Sequence, residues 1–146
     1  MSGGLVLRLR PHEKFLVNGV IIENGDRRSR LRVRTENANI LRFRDAIHPA
    51  EANTPAKRLY YIAQLAVSGE VDAARSKEQL VPGLEALQEA FGEKMRHDAL
   101  EQAIAEARNG QFYQVMRLLA SILPQEAMLL RGLAIKESPL ATDTAQ

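Results

Sequence analysis

The sequence predicts an α+β fold: a small N-terminal antiparallel β-sheet or open barrel, followed by a C-terminal bundle of about four helices. Three observations carry that expectation. Apolar residues recur with period two before Pro49 and at helical spacing after it. Asn18-Gly19 separates two apolar triplets, and a two-residue Asn-Gly loop is the strongest short hairpin signal because a type I′ turn needs positive φ at both central positions. Thr54-Pro55 joins a capping hydroxyl to a ring that pre-sets the first helical φ.

The elements follow in order. Leu5, Leu7 and Leu9 alternate with Val6, Arg8 and Arg10, which reads as a first strand. Phe15-Leu16-Val17 and Val20-Ile21-Ile22 flank the Asn18-Gly19 turn. A second Asn-Gly, Asn24-Gly25, closes the hairpin and leads through Asp26-Arg27-Arg28 into a strand in which Leu31 and Val33 alternate with Arg30, Arg32 and Arg34. Leu41 and Phe43 against Arg42 and Arg44 repeat the pattern, with Phe15 and Phe43 expected to point inward. The first helix runs from Thr54-Pro55 to Gly69, with Leu59, Ile62, Ala63, Ala66 and Val67 as its apolar stripe. A second spans Val71 to Phe91, where Pro82-Gly83 is expected to kink or divide it. A third covers His97 to Arg108 and stops at Asn109-Gly110. A fourth carries Phe112 to Ile122 as far as Pro124, and a short fifth covers Glu126 to Ile135. The expected division is a basic antiparallel β sub-domain at 1–50, a helical sub-domain at 51–136 and a frayed tail at 137–146.

Composition narrows the functional classes. A chain of 146 residues, 45% hydrophobic and 26% charged, is long enough to bury a core. The absence of cysteine excludes disulfides, thiolate nucleophiles and Cys-ligated metal sites, and it fits a reducing cytoplasm. No apolar run approaches the ~20 residues of a membrane span, and Arg8 and Arg10 interrupt the N-terminal apolar stretch, so the expectation is a cytoplasmic protein. His12, His48 and His97 are scattered, with no HExxH pair, phosphate loop or nucleophile elbow. No catalytic residue, metal ligand or cofactor is expected.

Charge is divided along the chain. Residues 1–50 hold ten cations (Arg8, Arg10, Lys14, Arg27, Arg28, Arg30, Arg32, Arg34, Arg42 and Arg44) against five acids, a balance of +5 within a net charge of +2. Nine of the ten are arginine, whose planar fork suits phosphate and stacks on bases. Alternation puts Arg30, Arg32 and Arg34 on one strand face, and a shared sheet would gather as many as seven guanidinium groups. These ten cations are the candidate nucleic-acid contacts. Their companion aromatics are few, so recognition would lean on phosphate and carry a strong salt dependence. Of Tyr60-Tyr61, one is expected in the core and the other is a candidate for base stacking.

In order along the chain, Leu7-Arg8-Leu9-Arg10-Pro11-His12-Glu13-Lys14-Phe15, Val17-Asn18-Gly19, Asn24-Gly25-Asp26-Arg27-Arg28, Ile40-Leu41-Arg42 and Asn53-Thr54-Pro55-Ala56 resemble the FlbT family. The likeness covers about Leu5 to Tyr61. It implies a post-transcriptional regulator of flagellum biogenesis, not an enzyme. Such a protein associates with the 5′ untranslated region of flagellin mRNA, represses its translation and promotes its decay. The implied partner is therefore the flagellin mRNA leader. The alternative is an adaptor whose helical half binds flagellin, a flagellin chaperone or another flagellar regulator, acting on mRNA only indirectly. The residues leave oligomeric state and the sign of regulation open.

Overall fold

The computed structural model describes residues 5–35, 38 and 40–137. Among the described residues five strands precede four α-helices: β1 (Leu5–Leu9), β2 (Lys14–Val17), β3 (Val20–Glu23), β4 (Ser29–Val33), β5 (Ile40–Arg42), α1 (Pro55–Val67), α2 (Ala73–Phe91), α3 (His97–Arg108) and α4 (Phe112–Glu137). The α+β expectation holds, with strands first and helices after them. The expected tail lies outside the described residues beyond Glu137.

The strands form two sheets, not one sheet and not a closed barrel: a β1-β4 pair and a three-stranded β3-β2-β5 sheet, all antiparallel. The division begins at Pro11-His12. His12 has φ 62°, and the turn is locked by the Glu13 amide donating to the Arg10 carbonyl at 3.1 Å and the Arg10 amide donating to the Glu13 carboxylate at 2.9 Å. After this turn β2 pairs with β3 and β5 and not with β1. Asn18 (φ 49°) and Gly19 (φ 84°) make the expected turn of the β2-β3 hairpin.

Asn24-Gly25 works differently from the first Asn-Gly, since neither residue has positive φ. The Asn24 side-chain amide donates to the carbonyls of Arg10 at 2.8 Å and Arg27 at 2.9 Å, while its oxygen accepts from the Ser29 hydroxyl at 2.7 Å. One side chain thus holds the end of β1 beside the start of β4.

The last strand departs from period two. Ile40, Leu41 and Arg42 are all buried. Ile40 joins Leu7, Leu9 and Phe15 in a small β cluster, whereas Leu41 enters the helical core. Covered on both sides, β5 has no solvated face to which alternation could send Arg42. Phe43, expected to point inward, opens a 3-10 turn (Phe43–Asp45) and is 43% exposed.

Helix ends follow local chemistry. Thr54 accepts from the Lys57 amide at 3.2 Å, and Asp72 accepts from the Arg75 amide at 2.8 Å, each satisfying a donor that the first turn leaves orphaned. Pro82 does not divide α2, nor does Pro124 end α4, so the expected fourth and fifth helices are one. Both prolines lie on exposed faces, as do Glu78 and Ala120 four residues earlier, so water can satisfy the freed carbonyls. Gly83 is a packing position: a Cβ there would collide with the Leu59 side chain, so glycine lets α2 close onto α1. Leu80, Leu84, Leu100, Leu119 and Ile122 are fully buried in the core, each contributing about 1.5–3 kcal/mol of apolar burial.

A buried polar contact joins the start of α1 to α4. Glu126, 1% exposed on α4, accepts from the Ala56 amide at 2.7 Å and the Thr54 hydroxyl at 2.5 Å. A carboxylate at the start of α1 answers both the orphan donors and the positive end of the helix dipole.

Candidate nucleic-acid interface

The register of β1 and β4 decides which arginines meet. Leu5 pairs with Val33, Leu7 with Leu31 and Leu9 with Ser29, which fills the inner face. Val6 pairs with Arg32 and Arg8 with Arg30, so these four side chains share the outer face. Arg8 and Arg30 lie directly opposite one another, and like charges in that position repel unless a polyanion or solvent offsets them. Leu31, expected to be inward and buried, is on the inner face yet 44% exposed, because a two-stranded ribbon gives it incomplete cover.

The other candidate cations divide into groups. Arg10, Arg27 and Arg28 are exposed near the corner held by Asn24. Arg34 is exposed just past β4. Lys14 sits opposite Glu23 in the β2-β3 hairpin, where charges of opposite sign compensate. Among the described residues, none of Arg8, Arg10, Arg27, Arg28, Arg30, Arg32 and Arg34 lies within 4.0 Å of a carboxylate.

Arg42 is the exception among the predicted contacts. It is 6% exposed and faces Glu13, donating from Nε at 2.9 Å and from Nη2 at 3.0 Å to the two carboxylate oxygens. Its Nη2 also donates to the Arg8 carbonyl. One guanidinium therefore ties β5, the turn before β2 and β1 together, linking the two sheets. The Arg42 hydrogen bond holds the Glu13 carboxyl below its ordinary value, against the opposing effect of burial. The single face of seven arginines is thus broken: strand alternation groups Arg30 with Arg32, the pairing of β1 with β4 adds Arg8, and Arg42 is withdrawn to Glu13.

Beyond Arg42 the chain meets the helices at a cleft of about 310 Å³. Its walls include Val6 of β1, Arg44 and Asp45 after β5, Tyr60 of α1, and Tyr113 and Arg117 of α4. Tyr60 is the core tyrosine of its pair, 6% exposed, and its hydroxyl donates to the Asp45 carbonyl. Burial, with the nearby Asp45 charge, pushes its pKa up to about 12. Arg44 keeps 46% of its side chain exposed, with Nε 3.7 Å from Glu13. Tyr113 and Arg117 are one helical turn apart on α4. Sequence reasoning passed over both, since nothing local to residue 113 signals that it will stand beside residue 44.

The histidines have local roles. His48 Nδ1 accepts from the Ala50 amide at 3.1 Å, His12 lies 3.6 Å from Glu23, and His97 approaches Gln88 at 3.3 Å. Among the described residues no three metal-ligating side chains gather, and no helix is long and apolar enough to cross a membrane.

Fold and surface define a small α+β protein that presents a cationic β-ribbon beside a helical bundle. The family described as Flagellar protein FlbT matches residues 5–130. This chain belongs to the FlbT family. It is 33% identical over 125 residues to the probable flagellum biosynthesis repressor protein FlbT of Caulobacter sp. (strain K31), covering 84% of this chain and 92% of that protein. To the flagellum biosynthesis repressor protein FlbT of Caulobacter vibrioides (strain ATCC 19089 / CIP 103742 / CB 15) it is 30% identical over 125 residues, with 84% and 86% covered. A Bradyrhizobium diazoefficiens relative of similar name is 48% identical over 61 residues, or 42% of each chain. No solved structure matches the chain.

Proposed function

We propose that this protein is a repressor in flagellum biogenesis that acts after transcription, in the cytoplasm. It binds the 5′ untranslated region of flagellin mRNA, blocks translation and promotes decay of the message. The relatives named as flagellum biosynthesis repressors support the biological role. The observation that carries direct RNA binding is the outer face of β1-β4, where Arg8 and Arg30 stand opposite each other, Arg32 lies alongside, and no described carboxylate is within 4.0 Å. A phosphate chain would relieve that repulsion and release its counterions. Arg10, Arg27, Arg28 and Arg34 extend the contact, Lys14 is peripheral, and Arg42 is assigned to the framework. No cofactor enters this reading.

The test is binding of the purified protein to a flagellin leader across a salt series, beside a variant with Arg8, Arg30 and Arg32 changed to Gln. The variant is expected to bind more weakly, with a log–log salt slope shallower by about 2, roughly 0.7 for each single-strand phosphate that is no longer neutralised. Equal slopes for the two proteins would refute the assignment.

A second reading has its own observation. Met128 is 66% exposed on α4 beside a groove that includes Lys94, Pro124 and Leu129, a surface that suits an adaptor for flagellin, its chaperone or another flagellar regulator. Absence of leader binding by the wild type would favour it.

A further inference from the structure

The outer arginine face does not end in open solvent. Val6 shares that face with Arg8, Arg30 and Arg32, lies directly opposite Arg32, and is itself a wall of the cleft between β1 and α4. Leu5 lines the cleft as well, so the cleft sits at the start of β1, within reach of a strand of RNA that runs along the arginines toward that end. The cleft differs chemically from the face. It has an aromatic residue, Tyr113, half-buried; two exposed arginines, Arg44 and Arg117; and a half-buried acidic residue, Asp45, among its lining. Glu13 sets one negative charge against the two guanidinium groups of Arg42 and Arg44, so Arg44 is only partly neutralised.

We propose that this cleft takes one unpaired RNA base, stacked on Tyr113, with the flanking phosphates held at the rim by Arg44 and Arg117. The proposal rests on the RNA-binding reading and adds to it the point where the chain engages a base and not only a phosphate. Size fits, since about 310 Å³ is at the lower end of the ~300–1,000 Å³ of small-ligand pockets. Orientation follows from charge. Asp45 repels phosphate, whereas its oxygens accept from the N–H groups on a base edge. The base enters edge-first toward Asp45, its face lies against Tyr113, and the phosphates stay outside with the arginines. Stacking is tolerant of base identity, while an acceptor at the inner wall is not, so any sequence preference of this surface arises here.

The experiment uses the full chain and the flagellin leader, comparing wild type, Tyr113→Leu, Tyr113→Phe and Asp45→Asn across a salt series. Tyr113→Leu is expected to bind about 5- to 150-fold more weakly, the range for removal of one base–aromatic stack, with the salt slope unchanged because every phosphate keeps its cation. Tyr113→Phe keeps the ring and is expected to bind as wild type does. Asp45→Asn is expected to weaken binding; tighter binding would mean that phosphate enters the cleft, which overturns the base-in orientation. Wild-type affinity in Tyr113→Leu, with the arginine variant still impaired, overturns the cleft and leaves the RNA reading standing. No binding by the wild type sinks both. If Tyr113→Leu loses its helical circular dichroism, wild-type protein and leaders carrying one abasic site at each position in turn decide instead. A single position with the same loss supports the cleft, and uniform tolerance overturns it.

Discussion

Replacing Glu126 tests the contact on which the geometry of the helical half depends. Both carboxylate oxygens are used, one by the Thr54 hydroxyl and one by the buried Ala56 amide. In Glu126→Ala the Ala56 N–H is left without an acceptor, a loss of about 1–3 kcal/mol. Removing a negative charge from a desolvated helix N-terminus adds up to ~2 kcal/mol. The carboxylate's own desolvation cost, relieved on its removal, takes some of this back. A net destabilisation of about 2–4 kcal/mol is expected from these opposed effects. For a chain of this length each kcal/mol moves Tm by ~2–4 °C, so the melt should fall by roughly 4–16 °C. Glu126→Gln is the control: it keeps one oxygen for Ala56 and lets the Thr54 hydroxyl turn to accept, so about half the loss is expected. Urea denaturation followed by circular dichroism reads the effect as a lower midpoint at constant m. A Glu126→Ala midpoint within ~0.5 kcal/mol of wild type, the range of an ordinary surface substitution, would refute the reasoning.

Two further predictions concern pH. The folded-state pKa of Glu13 is depressed by Arg42, so the Glu13–Arg42 pair contributes stability that is complete above the ordinary Glu value of 4.5 and is lost as pH falls below it. Glu13→Gln should be the less stable protein at neutral pH, and its deficit should shrink in acid; an unchanged deficit in urea melts would count against the pair. Tyr60, raised to about 12, contributes stability present below 10 and lost between 10 and about 12. A tyrosinate absorbance titration should show one of the three tyrosines ionising near about 12, and Tyr60→Phe should remove that step.

Much of the fold was legible locally. Asn18-Gly19 imposed a turn because few residue pairs accept positive φ twice, and the structure has it. Thr54-Pro55 marked the start of α1 and His97 to Arg108 the third helix, since capping and helical period act over a few residues. Pro124 did not end its helix and Pro82 did not divide its own, because a proline's cost depends on the freed carbonyl's access to water, which requires knowing the exposed face. The same holds for Asn24, a turn former in sequence and a bridge between two distant carbonyls in the structure.

The sequence by itself determined where the cations lie and which of them share a strand face. Period two is a property of the backbone, so Arg30 and Arg32 had to project together once β4 formed. Only the tertiary structure decided which strands are neighbours, and hence that Arg8 meets Arg30 while Arg42 is withdrawn to Glu13. It alone brought Tyr113 and Arg117 to Arg44 and Asp45. Local conformation is governed by interactions a few residues long. Register, burial and the meeting of β5 with α4 depend on which surfaces pack across the whole chain, and that is written in no single segment.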